Sequence, residues 1–198
     1  MITTVFGATM LVPLCVAWWG GDPAFDAYAW AVAVTVGSGL LMRLVARRHR
    51  RELQPRDGVL LVSSVWTLLP LFASLPLLLH FRETGTPLSF TDAYFEAMSG
   101  LTTTGSSVLS GLDALPPSIN LWRCFMQWMG GMGILVLAVA ILPLLGVGGS
   151  QLFKAEASGP MKDTKLTPRI TEPAKGLWTV YVVLSLACLL ASRPGGMS

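Results

Sequence analysis

Charge is what this sequence has least of. Asp, Glu, Lys and Arg make up 13% of its 198 residues, against roughly 25% in an ordinary soluble domain, and the mean hydropathy is +0.60. That scarcity excludes a typical soluble domain and points to a chain solvated largely by lipid. Histidine occurs only as His49 and His80, neither with a serine or cysteine partner near it in sequence, which argues against nucleophilic or acid–base catalysis. The cysteines Cys15, Cys124 and Cys188 lie in separate apolar segments without C-x-x-C spacing. A disulfide framework and a zinc site are therefore disfavoured, and small apolar packing residues are the expectation. Gly146, Gly148 and Gly149 mimic a nucleotide loop, but they follow an apolar span and open no βα unit.

What the chain has in abundance is apolar length. Stretches free of Asp, Glu, Lys and Arg run Met1 to Gly20, Ala27 to Met42, Gly58 to Phe81, Cys124 to Phe153 and Gly176 to Ser192. A helix of about 20 apolar residues crosses the hydrocarbon of a bilayer, so the expected fold is an all-α polytopic membrane protein. The second and last stretches are short and need flanking residues or a thinner bilayer. The first stretch has no basic residue before its apolar run and no small-x-small cleavage site before Asp22, so it reads as a retained span rather than a secretory signal.

The few charges are distributed unevenly. Arg43, Arg47, Arg48, Arg50, Arg51 and Arg56 fall between the second and third stretches, and Lys154, Lys162, Lys165, Arg169 and Lys175 between the fourth and fifth. The positive-inside rule places both loops in the cytoplasm, although basic loops can also bind nucleic acid or anionic lipid. With those loops inside, the N-terminus is cytoplasmic, and Asp22 and Asp113 are external. The third stretch then ends outside and the fourth must begin outside. Residues 82–120 consequently enter the membrane without crossing it.

Within that returning region lies "EAMSGLTTTGSSVLSGLD", Glu96 to Asp113. Ser89 and Asp92 match an [ST]-x-x-[DE] helix start, and Tyr94, Phe95, Met98 and Leu101 mark the apolar positions of a short helix. Irregular backbone at membrane depth is tolerated where it is buried in protein or lines a watery cavity. A helix C-terminus aimed at the membrane centre favours a cation. An extended run through Thr102, Thr103, Thr104 and Gly105 could replace an ion's hydration shell with carbonyl oxygens, Gly105 supplying torsions that a Cβ resists. The same spacing also suits a re-entrant loop of another transporter, or an external loop with an amphipathic stretch on the membrane surface.

"TDAYFEAMSGLTTTGSSVLSGLDALP" followed by "FMQWMGGMGILVLAVAILPLLGVGGSQLFKAEASGPMKDTKLTPRI" resembles the first pore repeat of the TrkH potassium-uptake family, within the wider Trk/Ktr/HKT cation transporters. The resemblance implies a leading transmembrane helix pair over 1–46 and a first helix/re-entrant pore loop/helix repeat over 56–150. That repeat comprises an outer helix, a pore helix at 89–101, a filter loop at 102–106 and an inner helix at 120–149. A cytoplasmic basic loop over 151–175 and the first helix of a second repeat over 176–193 complete the implied organisation.

By the same resemblance, Thr102, Thr103, Thr104 and Gly105 supply one quarter of a K+ filter through backbone carbonyls, in the plasma (inner) membrane of a bacterium. The implied partners are membrane lipid, a second copy in the full-length homodimer and a cytoplasmic nucleotide-binding TrkA-type regulatory subunit, with no nucleic acid and no enzymatic activity. The later repeats of the family are missing, so a truncated form is expected. A non-conducting assembly or regulatory subunit is the alternative.

The remaining motifs have structural expectations. The tryptophans, mostly near span ends, suit an interfacial belt. Gly130, Gly131 and Gly133 suit close helix packing, and Pro70, Pro76 and Pro143 suit kinks. Asp92 and Glu96 are expected to stabilise the pore helix locally, and Arg123 to snorkel or to pair with an acid.

Overall fold

A computed structural model describes the backbone of residues 2–46, 55–141 and 167–192. All regular structure among these residues is helical: α1 Ile2–Thr9, α2 Leu11–Gly20, α3 Phe25–Ala46, α4 Pro55–Ala73, α5 Leu75–Glu83, α6 Phe90–Leu101, a 3-10 turn at Leu112–Ala114, α7 Pro117–Ile141 and α8 Thr167–Ser192. Three segments among them are long and apolar enough to cross a membrane, Ile2–Gly20, Phe25–Val45 and Leu60–Glu83.

Two of those segments are interrupted helices, and proline explains where. Pro13 has no N–H to donate to Thr9 and its ring crowds that carbonyl; the first span accordingly breaks at Met10, between α1 and α2. Pro76 sits in the first turn of α5, where a missing N–H costs nothing, and the third span breaks at Ser74. The Ser74 N–H still reaches the carbonyl of Pro70 at 2.9 Å, so the break preserves backbone pairing. The kink expected at Pro76 is thus an interruption at Ser74, Pro70 lies inside α4, and Pro143 lies outside the described residues.

The chain divides into two units, residues 1–129 and 130–198. In the first, α1 packs on α3, α5 also contacts α3, and α4 packs on α6. Small residues set the spacing: Ala17, Ala24, Ala27, Ala31, Ala73, Ala93 and Ala97 are fully buried. A Cβ added at Gly39 would lie 2.8 Å from the backbone nitrogen of Thr4, and one at Gly7 would lie 2.8 Å from Val36 Cγ2. These glycines bring α1 and α3 together as small residues do in membrane helices. Met10, Tyr28, Leu77, Ile119, Trp122 and Met126 are the large side chains of one buried core. Large apolar side chains such as Val5, Trp18, Trp19, Trp30, Leu41 and Leu61 stand exposed, which suits a surface that lipid covers.

Asp22 links distant helix starts. Its two carboxylate oxygens accept the N–H groups of Ala24 at 2.8 Å and Ser118 at 3.1 Å, so one side chain serves the N-terminal ends of α3 and α7. Tyr28 Oη donates to the carbonyl of Ser118 at 3.0 Å. The second unit contains the end of α7 and α8, whose Lys175–Ala191 portion is apolar.

Several expectations change. Trp122 belongs to no interfacial belt: it is fully buried and its Nε1–H donates to the Ala73 carbonyl at 3.0 Å, which places it in the core beside the α4–α5 break. Cys15, Cys124 and Cys188 are exposed rather than packed. A Cβ at Gly133 would meet nothing, so that glycine makes no close approach, whereas Gly130 is buried and Gly7, Gly39 and Gly100 lie close to neighbouring helices. Helix α7 starts at Pro117 rather than 120, proline being favoured at a first helical position. Helix α8 starts at Thr167, taking Arg169 and Lys175 out of the expected loop.

Candidate filter loop

Helix α6 begins as its sequence dictates. Ser89 is extended, with φ −67° and ψ 155°. Its Oγ accepts the Asp92 N–H at 3.1 Å and donates to Asp92 Oδ2 at 2.6 Å. This satisfies an orphan donor of the first turn and sets a carboxylate at the positive end of the helix. Ala93, Ala97, Gly100 and Leu101 form its buried face. Tyr94 Oη donates to the Thr67 carbonyl at 3.1 Å, tying α6 to α4. Gly100 lets α7 approach, since a Cβ there would sit 3.1 Å from Met126 Cβ.

The end of α6 departs from the expected extended run. Thr102 still has near-helical torsions, φ −84° and ψ 3°, and Thr103 is left-handed at φ 59°. The N–H groups fold back onto the terminal carbonyls: Thr102 to Met98 at 2.8 Å, Thr103 to Gly100 at 3.0 Å, Thr104 to Ser99 at 2.9 Å and Gly105 to Ser99 at 3.4 Å. The reason is that the last carbonyls of a helix need donors, and a left-handed residue turns the following amides toward them. The carbonyls expected to face a cation at the helix end are thereby occupied. The free acceptors have moved one step along the chain. Among the described residues, no hydrogen bond ends on the carbonyl oxygens of Thr102, Thr103, Thr104 or Gly105, and Thr103, Thr104 and Gly105 are exposed.

Gly105 has φ +74°, as its role in the loop requires, and the nearest atom to a Cβ placed there is Gln127 Nε2 at 4.0 Å. Torsion rather than space therefore selects glycine. Threonine at a positive φ is a different matter, because a β-branched side chain is rare there and the conformation is strained. Thr102 Oγ1 donates to the Met98 carbonyl at 2.8 Å and lies 2.9 Å from Thr104 Oγ1. These threonine hydroxyls thus brace the loop against the helix rather than reach outward.

The loop is also held from below and beyond. Ser99 Oγ donates to the Ser106 carbonyl at 2.6 Å. Glu96 Oε1 accepts Ser107 Oγ at 2.6 Å, the Val108 N–H at 2.6 Å and the Leu109 N–H at 3.3 Å. Its Oε2 pairs with Arg123 Nε at 3.2 Å. Arg123 therefore pairs with an acid, one of its two expected roles. Glu96 does more than stabilise its own helix, for it is 3% exposed and caps the loop exit. Neither that bracing role nor the position of Gln127 beside Gly105 was foreseen. The one available signal was an acid in α6 and a base in α7, Glu96 and Arg123. Asp113 lies in the first turn of the 3-10 segment. No group of three or more His, Cys, Asp or Glu suited to a metal occurs among the described residues.

Residues 27–194 match the family model described as "TrkH: Cation transport protein". The chain is 50% identical over its whole length to the Trk system potassium uptake protein TrkH of Halomonas elongata and 47% identical to that of Escherichia coli K12, covering 40% of each. Its structure resembles the crystal structure of the potassium transporter TrkH from Vibrio parahaemolyticus with a TM-score of 0.81 and 43% identity, covering all of this chain and 38% of that one. The chain thus spans about 40% of the length of the curated relatives it matches. With its lipid-suited exterior and apolar spans, it is a membrane protein and belongs to the TrkH family of cation transport proteins.

Proposed function

We propose that this chain forms part of the pore of a potassium-uptake system, with the carbonyls of Thr102, Thr103, Thr104 and Gly105 as one quarter of its K+ filter. One observation carries the reading: all four N–H groups of this segment are spent on the end of α6, while no hydrogen bond among the described residues ends on its carbonyls. A segment with its donors withdrawn and its acceptors available suits a dehydrated cation, because carbonyl oxygens then replace water. The relatives, potassium uptake proteins by name, support potassium as the cargo.

In this reading, residues 1–46 are a leading helix pair and residues 56–150 the first pore repeat. Segment 151–175 contains the cytoplasmic basic loop, and α8 opens a second repeat. The N-terminus is cytoplasmic in a bacterial plasma membrane. Full assembly joins two copies and a TrkA-type nucleotide-binding subunit on the cytoplasmic side.

The test is uptake of radioactive rubidium and sodium by vesicles containing the uptake protein with Gly105→Ala or Ser110→Ala, each normalised to inserted protein. A Cβ at positive φ costs on the order of 1 kcal/mol and redirects the adjoining carbonyls. Gly105→Ala is expected to lose rubidium preference and Ser110→Ala to keep it. Unchanged rate and preference in Gly105→Ala would remove the filter assignment.

A further inference from the structure

Glu96 and Ser99 lie one turn apart on the same face of α6, and between them they hold both sides of the exposed loop. Ser99 takes the entry, through its carbonyl to Thr104 and Gly105 and its hydroxyl to Ser106. Glu96 takes the exit, through three donors from Ser107, Val108 and Leu109. The Glu96 carboxylate is buried, and a buried carboxylate needs donors and a cationic partner. Arg123 on α7 is that partner at 3.2 Å, its own side chain 15% exposed. A carboxylate so engaged on both oxygens is not a free cation ligand at a pore mouth. It is a junction between α6, the loop exit and α7.

We propose that Glu96 and Arg123 are positioning residues that set the ion preference of the 102–106 loop by fixing its exit segment to α7. The inference rests on the filter reading above and extends it to side chains that touch no ion. The physical ground is that discrimination between cations depends on the number and spacing of carbonyl dipoles, and a short loop pinned at both ends transmits a shift at one end to those dipoles. Charge-assisted bonds at 2.6 Å and a half-buried ion pair are stiff pins for it.

The experiment compares rubidium and sodium uptake, per inserted protein, for Glu96→Gln, Arg123→Gln, the double variant and Gly105→Ala. Glu96→Gln keeps an acceptor for the three exit donors but turns an amide donor toward the guanidinium. Arg123→Gln leaves the carboxylate uncompensated. In the double variant two neutral amides can hydrogen-bond, restoring the link without charge. Each single change is expected to lower the rubidium-over-sodium ratio about tenfold, equivalent to about 1.4 kcal/mol of discrimination. The double variant is expected to recover most of it.

A merely structural role would reduce inserted protein while leaving the ratio per inserted molecule unchanged, and that result overturns the proposal. Failure of the double variant to recover the ratio would also overturn it, since the pair would not act as a unit. If the single variants do not accumulate, Arg123→Lys and the exposed Ser107→Ala carry the test, with a smaller fall in the ratio expected and an unchanged ratio refuting it. Gly105→Ala separates the two readings. A changed ratio there with unchanged Glu96 and Arg123 variants defeats only this inference, whereas an unchanged ratio in Gly105→Ala defeats the filter reading on which it stands.

Discussion

The backbone N–H of Ser118 donates to the Asp22 carboxylate at 3.1 Å across 96 residues of sequence. The other oxygen of that carboxylate receives Ala24 N–H, so a single buried acid joins the connection between α2 and α3 to the start of α7. Replacing Asp22 with alanine strands two buried N–H groups at helix starts. Loss of a helix cap costs about 0.5–2 kcal/mol, so losing two through Asp22→Ala is expected to destabilise by about 1–4 kcal/mol. Asp22→Asn keeps one acceptor oxygen and should fall between that and the parent. Thermal unfolding of the detergent-purified protein measures this, and equal stability of Asp22→Ala and the parent would refute the two-helix role.

Packing of α1 on α3 depends on the absence of a side chain at Gly39. A Cβ there would come within 2.6 Å of Thr4 Oγ1 and 2.8 Å of the Thr4 nitrogen. The backbone atom cannot rotate away, so the helices must separate. Overpacking of this kind typically costs about 1–3 kcal/mol. Gly39→Val should lower the unfolding temperature, whereas Gly37→Ala, where a Cβ meets nothing, should not.

Strain at Thr103 yields an opposite expectation. Its φ of 59° is unfavourable for a β-branched residue, and glycine adopts it freely. Relief of such strain is worth on the order of 1 kcal/mol, offset in part by the greater freedom of glycine in the unfolded chain. Thr103→Gly is therefore expected to insert and unfold no worse than the parent, while Gly105→Ala is less stable. A marked destabilisation by Thr103→Gly would show that its side chain holds the loop.

Topology makes a separate prediction. In a background with Cys15, Cys124 and Cys188 replaced by alanine, Asp113→Cys in intact cells should react with a membrane-impermeant thiol reagent. Arg43→Cys, exposed near the end of α3, should react only after the cells are opened. The reverse pattern would invert the assigned orientation.

Local chemistry was enough to read the helical character, the apolar spans, the Ser89 and Asp92 start of α6 and the need for positive φ at Gly105. Each depends on neighbours within one or two turns, or on summed hydropathy. The interruption at Ser74 was partly legible too, because Pro76 acts on the turn that contains it, whereas the one that Pro13 imposes at Met10 was not anticipated. By contrast, nothing near Trp122 in sequence distinguishes it from an interfacial tryptophan. Its burial follows from the Ala73 carbonyl that it meets through the fold.

The sequence by itself determined that this chain is an apolar helical protein with a short capped helix running into a threonine-glycine loop, because periodicity, capping and torsional preference are local properties. Tertiary structure alone decided how that loop is held. The Thr103 turn withdraws amides onto α6, Glu96 collects the exit amides, and Arg123 arrives from α7 to neutralise Glu96. A carboxylate buried among apolar helices is stable only where donors and a cation converge on it. That convergence comes from separate segments, and no single segment of the sequence records it.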